Sequence, residues 1–132
     1  MEKRDAMLHD PDFWALGPRP APQDIATELA RAMEVGRFVR RDTVYVQTVY
    51  TVALSAGDLA RFEGRKRELV ATLKDTLAWW ARQQGYTVPG ELRVRLIAGE
   101  ELVAGQLTVE AGLRRDEAAK LGRARRRGED SN

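Results

Sequence analysis

One run of twelve residues, Thr43-Val44-Tyr45-Val46-Gln47-Thr48-Val49-Tyr50-Thr51-Val52-Ala53-Leu54, constrains this chain more than any other feature. β-Branched and aromatic side chains lose rotamer freedom in a helix and fit a pleated surface, so the run predicts strand. Tyr50, Val52 and Leu54 alternate onto one face, the period of a half-buried strand. Gln47-Thr48 is the least apolar point and predicts the turn of a tight hairpin. No Gly or Asn stands there, so a single bent strand is the second reading.

Helical patterns flank this run. Ile25, Leu29 and Met33 recur at i, i+4 and i+8, with Pro22 in the first turn, Asp24 near the N-terminus and Gly36 at the end. These features predict an amphipathic helix over 22–35. After Ser55-Ala56-Gly57-Asp58, a second stripe runs through Leu59, Phe62, Leu69, Val70, Leu73, Leu77 and Trp80. Gly64 interrupts it, which predicts a short turn followed by a long helix from about 65 to 84, closed by Gly85. Leu92, Val94 and Leu96 then alternate with Arg93 and Arg95, and Leu107, Val109 and Ala111 alternate with Thr108 and Glu110. Two strands paired through those polar residues are expected. The resulting fold class is α+β, in the order helix-strand-strand-helix-strand-strand: a small mixed or antiparallel sheet with two helices packed on one face. Residues 1–21 read as an irregular leading segment, 22–112 as the folded domain, and 113–132 as a basic, largely disordered tail in which 113–121 extend as a helix.

The tail also carries the charge asymmetry. Of 22 basic and 20 acidic side chains, residues 113–132 hold seven and four, which leaves the rest near neutral with 15 and 16. A globally basic nucleic-acid binder would show its excess on the folded part. The absence of cysteine excludes disulfides, thiolate metal sites and thiol nucleophiles. A single histidine, His9, excludes multi-histidine metal sites. His9 with Asp10 and Asp12 is read as an exposed terminus, not a metal site. Glu28, Glu34, Glu100 and Glu101 show no spacing suited to a paired acid and base and are read as solvated charges. Neither a phosphate-binding loop of the G-x-x-x-x-G-K-[ST] type nor G-x-G-x-x-G occurs. No catalytic residue, cofactor or metal is expected. With no apolar run of about 18 residues and a charged start at Glu2-Lys3-Arg4-Asp5, the chain is expected in the cytoplasm.

Several blocks in succession carry a resemblance. Pro22-Gln23-Asp24-Ile25-Ala26-Thr27-Glu28-Leu29, the run Thr43–Asp58, the turn Gln83-Gln84-Gly85-Tyr86-Thr87-Val88-Pro89-Gly90 and the strand Gly105-Gln106-Leu107-Thr108-Val109 resemble the N-terminal domain of bacterial forkhead-associated (FhaA-like) signalling proteins. The resemblance spans roughly 19–111. It implies a non-catalytic α+β module of cytoplasmic Ser/Thr-kinase signalling tied to cell-envelope growth, usually linked to a phosphothreonine-reading domain. The Gly-Arg/Ser/His/Asn constellation of such a reader is missing here, so phosphopeptide binding does not carry over. No site residue transfers, because no motif defines one.

Two groups of residues remain as candidate contacts. Phe13 and Trp14 are apolar in an irregular segment, and Trp79 stands beside Trp80 on the long helix. Adjacent helical residues point about 100° apart, so Trp80 continues the core stripe while Trp79 lies at its border. Trp79 is expected to pack under residues 13–16, the other reading being an aromatic anchor for a protein partner. Arg61, Arg65, Lys66 and Arg67 surround Phe62 and could contact phosphate, together with Arg37, Arg40, Arg41, Arg93 and Arg95. The main reading is a protein–protein interaction or scaffold module. The alternative is a small RNA- or DNA-associated protein, although the GXXG loop of K-homology modules is missing. A further reading is a homodimer through strand 43–46 as a free sheet edge.

Overall fold

Helix α1 (Pro22–Gly36) starts as the sequence predicts: Pro22 occupies the first turn, and the Asp24 carboxylate accepts a 2.8 Å hydrogen bond from the Ala21 backbone N–H. Its inner face buries Ile25, Leu29 and Met33 completely, at about 1.5–3 kcal/mol of transfer free energy each. The computed structural model describes residues 14, 15 and 17–121. Strands β1 (Phe38–Arg40) and β2 (Thr43–Tyr45) follow, then β3 (Val49–Leu54), α2 (Ala56–Arg61), a 3₁₀ turn at Glu63–Arg65, α3 (Lys66–Gln84), β4 (Arg93–Ala98) and β5 (Leu107–Gly112). Gly85 ends α3 at φ 75°, the left-handed conformation that glycine adopts without a Cβ penalty. The fold class is α+β, with α1 and α3 packed over the inner face of a three-stranded sheet.

Strand pairing departs from the sequence reading in two places. β2 and β3 do not form a hairpin about Gln47-Thr48. Thr48 is fully buried and already belongs to the central ladder: its N–H donates to the Gly112 carbonyl at 3.0 Å and its carbonyl accepts from the Arg93 N–H at 2.8 Å. Gln47 is polar for another reason, since its side-chain amide donates to the Gly36 carbonyl at the end of α1 (2.8 Å). β2 instead pairs antiparallel with β1 through Arg41-Asp42, both at positive φ (53° and 67°). That is the backbone a two-residue hairpin needs, reached without the Asn-Gly signal that would reveal it. On its other side β2 meets Thr87, which donates to the Val44 carbonyl (2.8 Å) and accepts from the Val46 N–H (3.2 Å).

Nor do β4 and β5 pair with each other. Both flank β3, in the order β4-β3-β5, with β4 parallel and β5 antiparallel to it. Thr51 therefore stands between Arg95 and Glu110, and the expected pairs of Arg93 and Arg95 with Thr108 and Glu110 are absent. The inner face carries Tyr50, Val52 and Leu54 at 0% exposure, and Val94 and Leu96 at 7% and 5%.

Residues 115–121 are helical and are labelled α4. Glu117 is buried and accepts hydrogen bonds from the Thr48 hydroxyl and the Arg114 backbone N–H. A Cβ on Gly90 would lie 1.7 Å from Glu117 Oε2, so glycine makes room for that carboxylate.

The Tyr50 hydroxyl is buried and has no hydrogen-bond partner among the described residues, and burial raises its pKa. Tyr50→Phe removes an unsatisfied polar group and should leave the protein as stable or stabilise it by up to about 1 kcal/mol. Urea titration checks this; a clear loss of stability would mean that the hydroxyl has a partner.

Candidate interaction surface

α3 presents two adjacent tryptophans with different roles. Trp80 packs against the core, and its indole N–H donates to Glu34 Oε2 on α1 at 3.1 Å. The Tyr86 hydroxyl donates to the other oxygen, Oε1, at 2.7 Å, and Arg37 pairs with it at 3.4 Å. Glu34 is thus the acceptor that ties α1 to both ends of the α3–Gly85 turn, not the solvated charge its sequence context suggested. The negative charge of Glu34 raises the Tyr86 pKa, chiefly through that hydrogen bond. Trp79 is turned outward and is 52% exposed. Half of its surface remains in water; of residues 13–16, under which it is expected to pack, 13 and 16 lie outside the described residues. Trp14 is half-buried and packs against the core cluster, while Phe13 lies outside the described residues.

The basic group divides. Arg61 is consumed internally: Nε donates to Asp58 Oδ1 (3.3 Å), Nη2 to the Pro20 carbonyl (3.1 Å) and Nη1 to the Pro18 carbonyl (3.4 Å), and the guanidinium lies 5.0 Å from the Phe62 ring centroid. It fastens the leading segment to α2. Asp58, buried at 7% exposure, also accepts from the Gly105 N–H at 2.8 Å and so holds the β4–β5 loop. That backbone bond is the main cause that keeps the Asp58 pKa below the ordinary carboxylate range; Ser55 and Arg61 contribute further. Arg65 and Arg67 are exposed and Lys66 is half-buried at the α2–α3 junction, with Arg65 paired to Glu68 at 3.6 Å. Arg37, Arg40 and Arg41 belong to the β1–β2 end, where Phe38 stacks on Tyr45 with centroids 5.7 Å apart and Arg40 lies over Phe38. These residues thus lie on different elements, the α2–α3 junction, the β1–β2 end and, for Arg93 and Arg95, the outer face of β4.

Strand 43–46 is not a free edge, because β1 and Thr87 occupy its two sides. An open depression of about 380 Å³ is lined by Asp24, Thr27, Glu28, Gly105 and Leu107. Its Asp24 carboxylate already serves Ala21 and Arg19, and the Arg19 hydrogen bond lowers its pKa. Among the described residues no three His, Asp or Glu side chains converge as a metal site, and no helix is long and apolar enough to cross a membrane. His9 lies outside the described residues.

Comparison with known families adds what this geometry alone does not contain. The family model described as "FhaA, N-terminal domain" matches residues 15–110, most of the chain. The chain belongs to the FhaA N-terminal domain family. No curated protein matches it. A solved structure titled "Rv0020c_Nter structure" is similar at a TM-score of 0.67 and 19% identity, covering 74% of this chain and 75% of that one. At that identity the likeness concerns the fold. Within the FhaA N-terminal family match lie both α1 and α3, Trp79, and all five strands except the last two residues of β5.

Proposed function

We propose that this FhaA N-terminal-like chain is a non-enzymatic protein–protein interaction or scaffold module, cytoplasmic, in bacterial Ser/Thr-kinase signalling linked to cell-envelope growth. Membership of a family named for a signalling protein supports the setting. The observation that carries the interaction reading is Trp79: a large aromatic ring, 52% exposed, on a helix that its neighbour Trp80 pins to α1. Tryptophan, with tyrosine and arginine, is enriched among the residues that carry most of the binding energy at protein interfaces.

Trp79→Ala should leave the urea midpoint nearly unchanged and weaken capture of the cognate partner at least tenfold. The measurement is a quantitative pull-down from the native cell, followed by titration of the purified partner. Equal capture by both proteins would remove Trp79 from the interface.

The nucleic-acid reading rests on Lys66 and Arg67 at the α2–α3 junction, without Arg61. It requires RNA affinity that falls steeply with salt and drops when Arg65, Lys66 and Arg67 become alanine.

A further inference from the structure

β4 ends the three-stranded sheet, and among the described residues no strand pairs with its outer edge. The Arg93 N–H donates inward to the Thr48 carbonyl and the Gly99 N–H to the Leu54 carbonyl, both at 2.8 Å. In this parallel register the inward groups belong to Arg93, Arg95, Ile97 and Gly99, so the main-chain groups of Val94, Leu96 and Ala98 point out of the sheet. Among the described residues no backbone or side chain bonds to them on that side. The small residual exposure of Val94 and Leu96, against none for the corresponding β3 residues, fits a strand uncovered at its edge.

The side chains along this edge are sorted by face. Arg93, Arg95 and Ile97 are exposed on the outer face of the sheet. On the inner side lies α3, where Arg67, Val70 and Lys74 share one helical line. Val70 packs against the core, and Lys74 reaches Glu91 just before β4. Glu91 also pairs with Arg93 (3.5 Å, against 3.9 Å to Lys74), so a carboxylate already settles between cations of both faces. These pairs are exposed, and another carboxylate replaces them at little cost.

A second copy of the chain is a poor occupant. Antiparallel self-pairing centred on Val94 would set Arg93 of one copy opposite Arg95 of the other, and the next register would set Arg95 opposite Arg95. Like charges directly opposite are destabilising. The register centred on Leu96 sets Arg95 opposite Ile97 and Arg93 opposite Gly99, which gives neither arginine an acidic partner. Single-stranded nucleic acid also fits poorly, since it binds by stacking bases on aromatic rings. The exposed Trp79 lies on the side of α3 away from Val70 and Lys74, and Phe62 is buried. What matches is an extended peptide with alternating acidic and apolar residues: acids toward Arg93 and Arg95, apolar side chains toward Val70.

We infer that β4 is a strand-addition site for such an acidic, extended segment of a partner protein. The inference deepens the interaction reading above and rests on it.

The test uses the full chain, ¹⁵N-labelled, with a capped octapeptide of alternating Glu and Val as the probe. Saturating peptide should slow amide hydrogen exchange at Val94, Leu96 and Ala98 at least tenfold. A peptide N-methylated on its pairing amides should bind at least tenfold more weakly, as should the unmodified peptide to Arg95→Glu. Ala98→Pro removes one outward N–H at an exposed position and should weaken binding in the same direction. Unchanged exchange at the three amides overturns the site. Equal binding of the N-methylated peptide overturns strand addition in favour of simple ionic attraction. Tighter binding of octauridylate at the same amides overturns it in favour of RNA. If the peptide fails while Trp79→Ala still abolishes partner capture, only the β4 site falls.

Discussion

Glu34→Ala should lower the unfolding free energy by about 2–3 kcal/mol, because it removes one acceptor that serves three donors. Trp80 and Tyr86 each lose a side-chain partner in a partly buried site, and a hydrogen bond to a charged group contributes about 1.5–3 kcal/mol. The sum stays below two full bonds because the Glu34 side chain is 32% exposed, so water replaces part of what is lost. The Arg37 pair adds little, being half-exposed. Glu34→Gln keeps a carbonyl acceptor and should lose about half as much. Urea midpoints, with near-ultraviolet circular dichroism to follow the Trp80 environment, check both variants. A change below about 0.5 kcal/mol for the alanine variant would show that α1 and α3 hold together through apolar packing alone.

Asp58→Ala should cost about 3 kcal/mol. It strips the partner from the Gly105 N–H and from the Arg61 Nε–H in a nearly buried setting, and leaving such donors unpaired carries their desolvation penalty, although the other guanidinium nitrogens keep the Pro18 and Pro20 carbonyls. The effect should be spatially broad, since the β4–β5 loop bonds to this carboxylate and residues 18–20 bond to Arg61, which the carboxylate orients. A pH dependence follows with a definite sign. The folded-state pKa of Asp58 lies below its unfolded value, so its stabilisation is complete above the ordinary carboxylate pKa of about 4 and disappears as pH falls through the folded value. Asp58→Asn should therefore be less stable than the parent at neutral pH and should lose less on acidification. Some acid sensitivity remains in that variant, because the Asp24 pKa is lowered too, by Arg19. Urea midpoints between pH 6 and pH 2 measure the difference. Parallel curves for the two proteins would show that Asp58 titrates alike in both states.

The sequence discloses elements wherever a single period dominates. α1 and α3 follow from apolar stripes with proline and glycine at their ends, and Tyr50, Val52 and Leu54 reveal their buried face by alternation alone. Partnership between strands is a different matter. β1 is only three residues long, and its Arg41-Asp42 turn carries positive φ without glycine or asparagine, so no local signal marks it. The placement of β3 between β4 and β5 depends on contacts some forty to sixty residues apart in the chain, which a local pattern does not encode. Roles of polar residues were hidden for the same reason. Glu34 looks like any helix-surface acid until Trp80 and Tyr86 arrive from another element. Arg61 looks like an available cation until Pro18 and Pro20 present their carbonyls. Glu117 lies in a basic, polar stretch, and only the space above Gly90 and the hydroxyl of Thr48 explain its burial. Helical geometry places Trp79 at the border of the core stripe, and only the packing of α3 on its neighbours turns it outward.

The position of β3 has a bearing on synthesis. This strand leaves the ribosome early, yet its neighbours on both sides are among the last parts of the domain to be translated. Tyr50, Val52 and Leu54 thus wait through about forty further residues with neither flank closed, and the sheet can zip up only when residues near 112 are free of the exit tunnel. Late closure over distant segments is the slow kind of folding and leaves an apolar strand open to misassociation meanwhile. Nascent fragments ending before β5 are the ones that would call on chaperones.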